Sequence, residues 1–306
     1  MLYTSNSLPL SKIQLDDWQL IKVSGADNHK FFQGQVTNNL DLLNDTHFLF
    51  TAQCDPKGKV WSNMLLFKRG DDIYYIERKS VVEAQLKELK KYAIFSKVSF
   101  AIETDLTMIG IAGQTVQTVL SSIESCFGDE QNCLTQGNIT YLKIDFPTTR
   151  YIIIGQPNEL AALPFATEQS VTSQQWSLLD LEANYPIIDL PVSNQYLPQA
   201  FNLQNFNAIS FDKGCYCGQE MVARAQFRGM NKRALYLLTG HSDSLPQIGD
   251  TLLQQIDDNW RETGCVLATL QLDDHTIWVQ AVLNNDLDAN TVFSLKTDSD
   301  SRLRIK

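Results

Sequence analysis

The chain has 306 residues, with 35 acidic and 25 basic side chains, a formal net charge of −10, 43% hydrophobic residues and 20% charged ones. These proportions exclude a disordered chain and suit about two packed domains; the acidity argues against a broad grip on a phosphate backbone, which needs clustered Lys and Arg. Six cysteines are too sparse for a disulfide framework, so reduced thiols are expected. The first twenty residues lack a basic region followed by an apolar stretch, and no run reaches the ~20 apolar residues of a membrane span. A cytoplasmic protein without membrane association, and a monomer, is expected.

Taken in order, residues 24–40 read as a short helix entering a loop, with Asp27 as its N-cap, Phe31 and Phe32 as apolar contacts and Gly34 as its stop. The tetrad Asp55–Pro56–Lys57–Gly58 between two apolar runs is hairpin turn chemistry, and the strand DIYYIE follows. From Ser80 the spacing of Val82, Leu86, Leu89 and Ala93 predicts a helix, opened by a Ser80/Glu83 capping box. FSKVSFAIE, LTMIGIAG, YLKIDF and RYIIIG read as strands, with a helix over 116–127 between the second and third. This is an α+β pattern.

Composition shifts near residue 234. The runs ALYLLTG, GCVLATLQL, TIWVQAVL and TVFSLK, separated by turn residues, predict a small β-barrel or sandwich, giving an expected division into 1–234 and 235–306. From His241 onward there are eleven acidic residues against five basic ones, so this module holds most of the acidic excess.

The most unusual segment is SFDKGCYCGQEMVARAQFRGMNKRAL, residues 210–235. Gly214 and Gly218 bracket a C-Y-C triplet and permit a tight turn with close approach by a ligand or another segment. Lys213, Arg224, Arg228, Lys232 and Arg233 outnumber Asp212 and Glu220. Nearby cations can lower a thiol pKa, so Cys215 is a candidate reactive thiol; the competing reading is a buried small hydrophobe. The C-x-C pair lacks the second pair of a zinc site and the four histidines are scattered, so no resident metal is expected. Trp18 and Trp176 are core residues or flat surfaces for a heteroaromatic ligand; Trp176, Leu179 and Ala183 share helical spacing.

The motif KGCYCGQEMVAR, with LPQAFNLQ and ISFDKG before it and FRGMNKRAL after it, resembles the YgfZ family of bacterial folate-binding proteins associated with tRNA modification, relatives of the glycine-cleavage T-protein. LDDWQLIKVSGADNHKFFQGQVT, CDPKGKVWSNMLLF, ELKKYAIFSKV, SQQWSLLDLEANYPIID, NWRETGCVLA and VLNNDL extend the resemblance over nearly the whole chain. It implies a three-lobed arrangement, two α+β lobes around a tetrahydrofolate site plus a small C-terminal β-barrel. It also implies support of iron-sulfur enzymes that methylthiolate tRNA and, in some bacteria, regulation of replication initiation. Trp18 and Trp176 fall where the family places folate-contacting tryptophans. Cys215 falls on its functional cysteine, with Lys213, Gln219, Glu220 and Arg224 completing the motif. Cations near that motif are expected to meet the anionic glutamate tail of the folate, and a direct hold on tRNA is not expected.

Two departures stand out. Cys217 is a second thiol where many members have none, and Asn184 replaces the glycine of EAGxP; Asn tolerates a left-handed backbone better than most residues. Aligning the T-protein turn on Asp55–Gly58 puts Ser62 and Asn63 where aminomethyl transfer uses aspartates, and neither is a carboxylate. A folate-dependent C1 transferase and a ligand-free scaffold are the rival readings.

Overall fold

In the computed structural model, which describes residues 1–163, 165 and 170–306, the Asp55–Gly58 turn closes a hairpin between strands Leu49–Cys54 and Val60–Arg69. The Asp55 carboxylate fixes the turn by accepting from the N–H groups of Lys57 (2.9 Å) and Lys59 (2.8 Å). Strands Asp72–Arg78, Trp18–Ser24 and Ser99–Ile102 extend the hairpin into a five-stranded sheet. Period-two alternation gives this sheet two apolar faces. Met64, Leu66, Ile73 and Tyr75 pack on one side with Phe31, Phe32, Leu86 and Leu89 of helices Asn28–Gln33 and Val82–Tyr92. Leu20, Leu65, Phe67, Tyr74 and Ile76 face the other side.

That second face meets a six-stranded sheet, ordered Ser170–Val171, Ser11–Gln14, Thr107–Ala112, Arg150–Gly155, Ile139–Ile144, Cys133–Gln136. Ile13, Ile152, Ile154 and Leu179 join the two faces in one core cluster. Because Ser11–Gln14 belongs to one sheet and Trp18–Ser24 to the other, the two lobes are interleaved along the chain. Helix Ser173–Glu182 is buried almost all round, from Gln175 to Leu181, which explains why its sequence carries an apolar run with a lone aspartate in it.

Strands from Arg233 onward form a seven-stranded antiparallel sheet around Leu238, Val266, Val279, Ala281 and Phe293, the expected small β-barrel. Its outer residues Leu235, Cys265, Leu267 and Val282 pack on Ile188, Phe201 and Leu203 of the preceding lobes. Three of its strands, Leu252–Ile256, Asn259–Thr263 and Asp298–Ile305, escape the sequence reading, because they bury too few apolar residues to show an alternation. Among the described residues, no helix is long and apolar enough to cross a membrane.

Several local expectations are corrected. Asp27 precedes its helix but accepts from the Lys97 N–H (2.7 Å) instead of capping. Ser80 lies in a 3-10 turn ahead of the helix, which starts at Val82, and its hydroxyl donates to Asp189 rather than closing a capping box. The helix expected over 116–127 is two short ones, Val116–Val119 and Ser121–Glu124, broken at buried Leu120.

Candidate folate pocket and cysteine loop

Trp18 and Trp176 line one cavity, between the inner faces of the two sheets. Trp18 opens its strand and Trp176 sits in the buried helix. The cavity is small, about 40 Å³, and Phe50, Phe146 and Tyr185 complete its aromatic wall. Trp176 is only 2% exposed and belongs to the core cluster, so it is a packing residue as well as part of the cavity wall. Gly110 makes room for it: a Cβ there would lie 2.6 Å from Trp176 Cε3.

Two arginines in this wall escaped the sequence reading. Arg78 lies over the Trp18 ring at 4.6 Å and holds Asp189 through Nε (3.1 Å) and Nη2 (3.0 Å). Arg150, 1% exposed, lies over Trp176 at 4.3 Å and bonds Asp180 through Nη2. Burial pushes the Asp180 carboxyl above its usual range despite that guanidinium. Nε and Nη1 of Arg150 are buried without a hydrogen-bond partner. The one signal in the sequence was a charge inside an apolar run: Asp180 within WSLLDLE and Arg150 before YIIIG.

Ser62 and Asn63 both donate to backbone carbonyls. The Ser62 hydroxyl donates to the Asn63 carbonyl (3.1 Å), and Asn63 Nδ2 donates to the Pro186 carbonyl (2.9 Å). Glu77 is 1% exposed, and the Ser62 hydroxyl is the one neighbour that favours its charged form. Strand alternation turns it to the side of Tyr75, away from Ile76 and Arg78, and burial pushes it up to about 8.

The cysteine motif lies elsewhere. Cys215 is exposed on a loop ahead of helix Gln219–Phe227. Cys217 is half-buried; its N–H donates to the Gly34 carbonyl (3.0 Å), and its thiol, raised by burial, meets Tyr92. The vicinal pair therefore points into different surroundings. Lys213 is 8% exposed, and its ammonium donates to the carbonyls of Gln33 (2.8 Å), Val36 (2.8 Å) and Asn38 (2.6 Å). Burial lowers it to about 8, so it stays charged at neutral pH. All three donors are used, which makes Lys213 a staple between the motif and the first lobe rather than an activator of the thiol. Gln219 reaches back to the Lys213 carbonyl (3.4 Å), and Glu220 and Arg224 form an exposed pair one helical turn apart.

Gly218 (φ +85°) meets the expected need for a special backbone, whereas Gly214 has open space around it and needs none. Asn184 adopts φ +53°, the left-handed conformation that a glycine would take there, and Nδ2 donates to the Leu235 carbonyl (3.3 Å). None of Lys213, Arg224, Arg228, Lys232 and Arg233 lines the tryptophan cavity. The cations that do are Arg78 and Arg150, which corrects the expected source of positive charge around a folate.

The chemistry of this wall suits a flat heteroaromatic molecule with hydrogen-bond acceptors, because its side chains are aromatic and the unspent buried groups of Arg150 are donors. Two interleaved α+β lobes with a terminal barrel define an aminomethyltransferase-type fold. Glycine cleavage system aminomethyltransferase T from Bartonella henselae superposes with a TM-score of 0.72 over 98% of this chain and 85% of that one, at 12% identity. Residues 231–299 match the model described as YgfZ, beta-barrel domain. The tRNA-modifying protein YgfZ of Yersinia enterocolitica is 47% identical over 100% of this chain and 94% of its own length. That of Yersinia pseudotuberculosis is 47% identical over 99% and 93%. The chain belongs to the YgfZ family.

Proposed function

We propose that this protein supports tRNA modification as a folate-binding accessory factor, with tetrahydrofolate or a derivative in the Trp18/Trp176 cavity and Cys215 as the working thiol. The observation that carries the reading is the cavity itself, which joins both tryptophans to buried, unpaired Arg150 donors. Its relatives in Yersinia are tRNA-modifying proteins, which supports the link to tRNA. The bound folate would supply a one-carbon unit or a redox-active reduced ring; the chain's own residues bind and orient it between aromatic side chains and exclude water.

The finer parts of the proposal are iron-sulfur enzymes that methylthiolate tRNA as the functional partners, a role in replication initiation, a cytoplasmic setting, and a division into residues 1–234 and 235–306. Cys215 stands apart from the cavity lining, so it acts on a partner or a transient species at the surface, not on the ring in the pocket. A C1 transferase is the weaker alternative, because Ser62 and Asn63 offer no carboxylate.

Complementation of a strain lacking its own homologue tests the reading. Wild type should restore methylthiolated tRNA and Cys215→Ala should not; full rescue by Cys215→Ala removes the thiol from the function. Tetrahydrofolate should quench the tryptophan fluorescence of the purified protein, and no binding at high ligand concentration overturns the folate reading.

A further inference from the structure

We infer that Arg150 makes the cavity selective for pteridines carrying a 4-oxo group and sets it against 4-amino analogues. The inference rests on the folate reading above and names the chemical class within it.

Arg150 opens strand Arg150–Gly155, and its side chain shares the inner face with Ile152 and Ile154. Its guanidinium is held over Trp176 and beside Phe146, 4.3 and 5.7 Å from the ring centroids. Asp180 takes Nη2, while Nε and Nη1 are inaccessible to solvent and unpaired. A guanidinium stays protonated and has no acceptor atom. Its unmet donors therefore raise the free energy of the empty pocket until an acceptor arrives.

Of the other polar groups of the wall, Arg78 Nη1 is a further buried donor without a hydrogen-bond partner, while Asn63 spends Nδ2 on Pro186 and Asp180 one carboxylate oxygen on Arg150. A pteridine with a carbonyl at C4 offers an acceptor; an amino group there sets donor against donor. The ring, not the glutamate tail, belongs at this depth. A multiply charged tail loses hydration when buried, whereas Arg78, with its side chain 15% exposed, stands closer to water.

The test uses the full chain and three probes, tetrahydrofolate, folic acid and aminopterin, the last two differing only at C4. Affinities are read by tryptophan fluorescence for wild type, Arg150→Lys and Arg150→Met, with melting temperatures alongside. Arg150→Lys keeps a positive charge beside Asp180, so folding is protected if Arg150→Met proves unstable. Wild type should prefer folic acid by about tenfold or more, and the variants should lose about tenfold in tetrahydrofolate affinity while the analogue ratio falls to within roughly threefold of unity. Equal wild-type affinities for the two analogues, or tetrahydrofolate affinity unchanged in the variants, overturns the inference and leaves the folate reading standing. If neither analogue binds, the tetrahydrofolate affinities of the variants decide. If wild type binds no tetrahydrofolate, the folate reading falls and the inference with it.

Discussion

Gly58 and Gly218 press against each other where the hairpin turn meets the cysteine motif: a Cβ on Gly218 would lie 2.8 Å from the Gly58 Cα and 2.4 Å from the Asp55 carbonyl oxygen. With φ at +85°, Gly218 resists substitution on conformational grounds as well. Gly218→Ala should cost about 2–4 kcal/mol in denaturant unfolding. Gly214→Ala, with open space around it, should stay within about 0.5 kcal/mol. Similar effects for the two would contradict the packing of turn on motif.

Lys213→Met strips three buried carbonyls of their shared donor. The expected loss is about 2–4 kcal/mol by denaturant titration. Lys213→Arg should not restore it, since a planar fork cannot converge on three acceptors as an ammonium does. A Lys213→Met protein as stable as wild type but inactive would instead give this lysine a chemical role.

Glu77 should give the protein a pH-dependent stability. Its carboxyl is pushed from 4.5 to about 8 by burial, so between those values the folded chain keeps a proton that the unfolded chain has released. Stability from this group is full below the unfolded value and declines as pH rises toward 8, by up to about 1.4 kcal/mol per pH unit. Glu77→Gln should melt higher than wild type at pH 8 and converge with it near pH 5. Parallel melting profiles across that range would refute the assignment.

The thiols should separate by burial. Cys215→Ser, on an exposed loop, should leave the melting temperature unchanged while abolishing complementation. Cys133→Ser places a hydroxyl in an apolar core position that is 0% exposed and should cost about 1–3 kcal/mol. Its thiol, pushed up to about 12, should react slowly with alkylating reagents at pH 8 while Cys215 reacts fast, as mass spectrometry of partially labelled protein would show.

The α+β class, the Asp55–Gly58 hairpin, the terminal β module and the cysteine motif were legible in the sequence, because turn chemistry, short-period alternation and a local charge excess are properties of neighbouring residues. So was the requirement placed on Asn184, which its positive φ satisfies. Ser80 shows the limit of such reading: its capping spacing was present, but Asp189, 109 positions away, took the hydroxyl.

Three matters were decided by tertiary structure alone. Trp18 and Trp176 come together because two interleaved sheets bring their inner faces into contact. Lys213 becomes a staple because the loop around Val36 turns three carbonyls toward one point. Arg150 and Asp180 become a buried pair beside the cavity because the first residue of a strand and a residue of helix Ser173–Glu182, thirty positions apart, converge there. Each depends on where distant backbone segments end up, which local periodicity does not encode. The net charge of −10 follows from the sequence alone, but which cations face the cavity is a matter of packing. They are Arg78 and Arg150, not the basic residues of the cysteine motif.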